Sequence, residues 1–461
     1  MDRLALSLRA ALTLLAALAA PLPAAQAQAP APAPAADERL AAHAKLRAAL
    51  EAGRLEEAAA QAATVVALTE ARSGAESREL VAPLSNVGTV AFRRGDLVAA
   101  EAAYRRAILI IDGKVAGADR DLVRPLTGLG ETWLAAGRPA EAVVMLKRAV
   151  DLSRNLDGLF NLAQLDIVDP LIEGYVAVGA RAEAEREHVF AFRVAENGYG
   201  KNDLRLLDPL DRLARWHESQ LRFTTARGLH ARALQIAEQG GQLRSVAGVP
   251  ALRGLSRTWL GEALYGPEVT ESMAPEMTSG GNDPFTPQSG GGRLNPDGER
   301  VLRYALELIR AQSPVDQLLL GDTLTQLGDW HLLTGSGNRA ASAYAEAWKA
   351  LVTAGAGKKD GLERPRLLVY RAPPTSASRL APADPESYTA RDIELVLRIG
   401  RDGRVLDARL PDGSEPDDGV ERSAAFAARK ARFAPRLEAG VPAETDGLPF
   451  RERMLVRASR E

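Results

Sequence analysis

One period governs most of this 461-residue chain. Glycines recur at an interval of 42, at Gly53, Gly95, Gly137 and Gly179. Five positions after each stands a small residue, Ala58, Ala100, Ala142 and Ala184, and Ala226 continues that series. Twelve positions after each glycine come Val65, Ala107, Ala149 and Ala191, continued by Ala233. Val87, Leu129, Leu171, Leu213 and Leu255 keep the same spacing, as does an aromatic-type position at Trp133, Tyr175, His217 and Trp259. Series that share one period mark an internal repeat whose units bury their apolar faces against their neighbours. Each unit reads as two amphipathic helices with Gly where the chain turns sharply. The small residue at Ala100, Ala142 and Ala184 lets the second helix approach the first, and a larger side chain there is expected to overpack by about 1–3 kcal/mol. A sequence rich in Ala suits closely packed helices.

The segments GRLEEA from Gly53, GDLVAA from Gly95, GRPAEA from Gly137 and GARAEA from Gly179, with Val87-Gly88 and Leu129-Gly130, resemble the tetratricopeptide repeat family. They match its inter-helix turn, the start of its second helix and the Leu-Gly of its first. The usual period is 34, and the extra residues here correspond to about one more turn in each of two helices. The resemblance implies an α-helical superhelix with an extended inner surface lined by the first helix of each repeat.

Further along the series weakens. Leu221 takes the place of the turn glycine in the fifth repeat, and 266–298 is rich in Gly, Pro and Ser, as at Gly290-Gly291-Gly292. That segment reads as a mobile insertion within the sixth repeat. Helical periodicity returns at 299–311, and a seventh pair covers 316–335 and 338–351. The repeats are thus expected over 38–354.

At the N-terminus, Asp2, Arg3 and Arg9 precede an apolar run, Ala10 to Ala20, closed by Pro21 and Pro23, with small residues at Ala25-Gln26-Ala27. This is the pattern of a secretory signal peptide, expected over 1–27. The run falls short of the roughly 20 residues a spanning helix needs. The expected location is periplasmic, the alternative an inner-membrane anchor in which Leu4 to Leu18 spans and Arg9 snorkels. An extended Ala/Pro linker is expected over 28–37. With a formal charge of −2 the chain has no general pull toward nucleic acid. With no Cys, disulfides and thiolate chemistry are excluded.

A Pro-rich linker is expected over 355–390, with a short strand at Leu367 to Tyr370. From 391 the period switches to that of strands: Ile393, Leu395, Leu397 and Ile399 alternate with Glu394, Val396 and Arg398. A turn at Gly400 to Arg404 leads to a strand at Val405 to Leu410, a helix at Val420 to Ala431 with Ala424, Ala425 and Ala428 on one side, and a last strand at Leu448 to Arg457. The segments IELVLRIGRDGRVLDARL from Ile393, ARFAPRLEAGVPAET from Ala431 and PFRERMLV from Pro449 resemble the C-terminal domain of the energy transducer TonB. Ala431 stands where that family usually has Trp. The resemblance implies a periplasmic ββαβ domain over 391–461 whose last strand pairs with an extended peptide of an outer-membrane transporter. Carried over, the edge strand is Phe450, Arg451, Glu452, Arg453, Met454, Leu455 and Val456. The proton-coupling His of the family's N-terminal helix is missing, and repeats occupy the place of its Pro-rich rod.

The fold class expected is therefore mainly α, a tetratricopeptide-like solenoid followed by a small α+β domain. No His-x-x-x-His pair, Gly-x-Ser-x-Gly elbow or phosphate loop is present, and Gly355 to Lys359 lacks the spacing of the last. His188 and His230 share one repeat position and read as packing residues. The acidic loop 412–418 matches no calcium loop. No enzyme activity, cofactor or metal is expected. The candidate site is an acidic stripe on the first helices of adjacent repeats, Asp166, Asp169, Glu173, Asp208 and Asp211, suited to a basic peptide. Its bland alternative is pairing of Asp208 with Arg212 and Asp211 with Arg215 within one helix. The expected function is a periplasmic protein–protein scaffold whose partners are envelope proteins or an outer-membrane transporter. An accessory energy transducer is the alternative, and an envelope enzyme with its site at 266–298 the remote one.

Overall fold

The computed structural model describes residues 34–112, 119–266, 297–355, 360–377, 387–416 and 418–457, divided between two compact units, 1–132 and 133–461. The signal peptide expected at 1–27, most of the 28–37 linker and nearly all of the 266–298 insertion lie outside the described residues.

The first unit contains helices α1 (Pro34–Glu51), α2 (Leu55–Ser73), α3 (Val81–Arg93), α4 (Leu97–Asp112) and the greater part of α5 (Val123–Ala135). Helix α1 begins inside the expected linker, because proline at a first helical position needs no donor and its φ is already helical. Ala58 and Ala100, the small residues of the repeat, are fully buried. The Tyr104 ring fills the space left by Gly128, where an added Cβ would stand 2.3 Å from it.

The second unit continues with α6 (Pro139–Asp157), α7 (Leu165–Ala177), α8 (Arg181–Tyr199), α9 (Leu207–Ser219), α10 (Phe223–Gln239), α11 (Val249–Tyr265), α12 (Asp297–Arg310), α13 (Gln317–Leu333) and α14 (Gly337–Ala354). The turn before α10 is made without glycine: Leu221 takes φ +59, the left-handed region that Gly137 and Gly179 occupy in their own turns. A further series with the same interval stands ahead of the first helices. Ser77, Asp119, Asn161, Asp203 and Ser245 each accept a backbone N–H two or three residues on, capping a one-turn 3₁₀ segment that opens the helix. Ion pairs recur in step: Arg106 meets Glu70 and the Ala75 carbonyl, as Arg232 meets Glu196 and the Lys201 carbonyl. His230 is 1% exposed and packs on Gly254, as Tyr104 packs on Gly128.

Past α14, the stretches 360–377 and 387–390 of the expected linker lie among the described residues, and the short strand expected at Leu367 to Tyr370 is present. Strand β1 (Arg366–Val369) is followed by a segment, Tyr370 to Ala377, that turns at Pro374-Thr375, where the Ser376 N–H donates to the Pro373 carbonyl at 3.0 Å; it is called the strap below. Then come β2 (Tyr388–Ile399), β3 (Val405–Arg409), α15 (Gly419–Arg429), β4 (Arg432–Ala434), β5 (Arg436–Glu438), β6 (Val441–Ala443) and β7 (Thr445–Arg457). The β-β-α-β order expected from the periodicity is present, and the short strands β4, β5 and β6 are additional. The main sheet has the order β3-β2-β7, antiparallel throughout, with Leu395 opposite Phe450 and Leu397 opposite Leu448. Helix α15 covers one face with Ala424, Ala425 and Ala428, all fully buried.

The short strands β4 and β5, and Leu362 ahead of β1, share a core with the last hairpins. Leu362, Ala434 and Leu437 join Leu324, Trp330 and Tyr344 in one buried cluster. The half-buried Asp329 carboxylate of α13 accepts from the Arg366 guanidinium of β1 at 2.8 and 2.7 Å and from the Tyr344 hydroxyl of α14 at 2.7 Å. Arg371 donates to the Leu264 carbonyl and lies 5.8 Å from the Tyr265 ring at the end of α11. Within the expected linker, β1 and the strap are held by partners far away in the chain.

Candidate functional site

The first helices α7, α9, α11 and α13 are tied side by side through charged groups. Arg212 of α9 pairs with Asp169 of α7, Arg257 of α11 pairs with Glu218 of α9 at 2.7 Å, and Arg253 of α11 donates to Gln326 of α13 at 3.0 Å. The expected acidic stripe lies on this face, but Arg212 reaches back one repeat to Asp169 instead of pairing with Asp208. Asp211 does pair within its helix, with Arg215 at 2.6 Å. Asp166, Glu173 and Asp208 are exposed and, among the described residues, form no ion pair. The arginines of α9 and α11 are thus engaged while three carboxylates are left over, so the face keeps a negative excess over α7 and α9.

The histidines pack, as expected. The His188 ring stacks against Trp216, centroids 4.8 Å apart, and burial pushes its pKa down to about 4. The His230 Nε2 and Glu218 carboxylate lie 2.7 Å apart beneath Arg257.

The second candidate is β7. It ends the sheet, and residues 450–456 alternate as a strand must. Arg451 and Arg453 face solvent opposite Glu394 and Asp392. Phe450, Glu452 and Met454 face the core, so a carboxylate only 7% exposed stands between two apolar side chains. The Tyr370 hydroxyl donates to its Oε2 at 2.5 Å and the Ser376 hydroxyl to its Oε1. Tyr370 also packs edge-on against Phe450, 5.1 Å between centroids. The outer edge of β7 is therefore closed at Arg453 to Leu455. Ala377 N–H donates to the Arg453 carbonyl at 2.7 Å, and Leu455 N–H to the Thr375 carbonyl at 2.8 Å, forming an antiparallel bridge of Ser376 with Met454.

Tyr370, Ser376 and the inward role of Glu452 do not emerge from the sequence reading. The signal was the parity of the strand: in PFRERMLV, Glu452 shares its face with Phe450 and Met454, and a carboxylate there requires a donor.

Residues 79–155 match the tetratricopeptide repeat family. The helical hairpins form a tetratricopeptide-like array, and the family match itself covers α3 to α6. Solved structures similar to the chain include tetratricopeptide-like repeats of a putative kinesin light chain from Podosopora anserina, at 18% identity and TM-score 0.41, covering 44% of this chain and 97% of that one. BtubC from P. vanneervenii is similar at 14% identity and TM-score 0.35, covering 77% and 100%. The C-terminal part of a tetratricopeptide repeat protein from Cytophaga hutchinsonii is similar at 13% identity and TM-score 0.40, covering 69% and 98%. No curated protein sequence matches the chain. The family match ends well before the C-terminal sheet. Among the described residues, no group of three or more His, Asp or Glu is placed to hold a metal ion, and no helix is long and apolar enough to cross a membrane.

Proposed function

We propose that this chain is a non-catalytic periplasmic scaffold that holds a basic segment of a partner protein along α7 and α9, the first helices of its fourth and fifth repeats. Stacked repeats give an extended surface suited to protein and peptide binding. The observation that carries the choice of partner is the surplus of exposed carboxylates, Asp166, Glu173 and Asp208, beside arginines already engaged. Export rests on Arg3, Arg9, the apolar run Ala10 to Ala20 and the small residues before Gln28. The C-terminal sheet is read as a TonB-like strand-adding domain. In favour are its β-β-α-β order, the alanine face of α15 and the terminal position of β7.

The test is titration of the full chain with an Arg/Lys-rich probe peptide at low and high salt. Affinity is expected to fall as screening rises. Asp166→Lys with Asp169→Lys is expected to abolish binding. Unchanged affinity in that variant sinks the groove reading. Recovery of the native chain from envelope fractions, with its first residue determined, tests export: a soluble periplasmic chain starting near Gln28 is expected.

A further inference from the structure

The strap stands where a partner strand would stand. It runs antiparallel to β7, exchanges two backbone hydrogen bonds with it, and places Ser376 opposite Met454. Both hydroxyls it sends inward end on Glu452, one on each oxygen. A sheet edge can be blunted by a charge or a proline alone. Here the chain instead carries a nearly buried carboxylate on an apolar face whose two oxygens accept from strap hydroxyls, an arrangement costly if the donors leave and nothing replaces them. The backbone pairing of the strap is short: the bonds flank a single bridge, and Pro373 and Pro374, just ahead of it, have no N–H to extend it.

We propose that the strap is an internal stand-in for a ligand strand, and that the edge of β7 is a self-occupied site opened when an extended partner segment displaces Thr375 to Ala377. The strap defines the partner chemistry. The segment is extended, with a carbonyl for the Leu455 N–H and an N–H for the Arg453 carbonyl. Between them it carries a small hydroxyl residue that reaches Glu452. Pro-Pro-Thr-Ser-Ala, the strap's own sequence, is the minimal form. The proposal deepens the strand-addition reading of the C-terminal domain and rests on it, but makes the separate claim that the site is closed in the free protein.

The experiment uses the absence of native Cys. Ser376 and Met454 form a bridge flanked by its hydrogen bonds, the kind of cross-strand pair in which side chains stand closest. Ser376→Cys with Met454→Cys therefore permits a single disulfide that locks the strap. The probe is a labelled peptide with the sequence of residues 372–377, titrated into the full chain, while hydrogen exchange at the Leu455 amide reports the strap. Tyr370→Phe with Ser376→Ala leaves every β7 residue in place. It is expected to speed Leu455 exchange at least tenfold, with the β2–β7 amides unchanged, and to tighten peptide binding about tenfold. The oxidised double-Cys chain is expected to bind no peptide and to regain binding on reduction. Tyr370→Phe alone, a milder change, is expected to fall between. Equal binding by the oxidised and reduced forms overturns the proposal. So does Leu455 exchange that quickens only together with the whole sheet. Fast Leu455 exchange with no peptide bound by any form would leave a releasable strap while sinking strand addition itself. A shift to dimer in the strap variant without peptide uptake would assign the edge to a second copy and overturn the partner.

Discussion

The hairpins α7 to α10 and the C-terminal sheet solve the same problem, burying an apolar face, by opposite means. In the hairpins the main devices recur one repeat further on: a positive-φ turn, a Ser, Asp or Asn cap, a leucine seated on a glycine, as Leu162 on Gly198 and Leu204 on Gly240. Partners are at most about one repeat apart, and losing one device leaves copies of it elsewhere. In the sheet the decisive contacts are single and distant: Tyr370 with Glu452, Arg366 with Asp329, Arg371 with the end of α11. Redundancy protects the first region, and the second depends on a few single contacts between distant residues.

The sharpest way to break this contrast is Asp329→Ala. The change leaves the fully buried Tyr344 hydroxyl without its acceptor and the 43% exposed Arg366 without its partner, at a cost of about 2–3 kcal/mol, most of it at Tyr344. Urea unfolding followed by limited proteolysis should show β1 and the sheet released before α7 to α10. Simultaneous loss of both would erase the distinction. Next in size, Gly254→Ala pushes a Cβ to 2.1 Å from the buried His230 ring and is expected to cost about 2 kcal/mol by thermal unfolding, felt mainly in α10 and α11. A smaller effect comes with pH. The His188 pKa is held at about 4, below its unfolded value near 6.5, so the unfolded chain takes up the extra proton between them. Stability is then full above about 6.5 and declines as pH falls toward 4, by on the order of 1 kcal/mol once the partial exposure of the ring is allowed for. His188→Gln should flatten that decline in urea midpoints compared at pH 7 and 5. Smallest is Leu221→Gly. Relief of the left-handed backbone gains about 1–2 kcal/mol and the added freedom of the unfolded chain returns about 0.5–1, a net rise near 0.5 kcal/mol in the same assay.

The contrast also explains what could be read from the sequence. Gly137, Ala142 and Trp259 announce the repeat because a periodic structure writes its rules several times. The cap series through Asp119, Asn161 and Asp203 was equally legible, since its side chains stand at the same interval. Strand alternation located β2, β3 and β7 and placed Ala424, Ala425 and Ala428 against the sheet. The strap was not legible, because nothing near Ser376 states that its partner lies at Glu452. Of the candidate site, the position of the carboxylates on α7 and α9 was readable. The choice of Asp169 over Asp208 by Arg212 was not, because spacing within one helix cannot rank a partner on the next.

The root of the sixth hairpin has a practical consequence. Helix α11 ends at Tyr265 and α12 starts at Asp297, yet Leu255 and Trp259 share a buried cluster with Leu302 and Leu306. Two helices already seated against each other fix the ends of whatever joins them. Since closing a connection costs only about 0.6 kcal/mol for each doubling of its length, the joint acts as a socket. Cargo of quite different size, from a short tag to a whole reporter domain, can be spliced between 266 and 297 without asking the rest of the array to readjust.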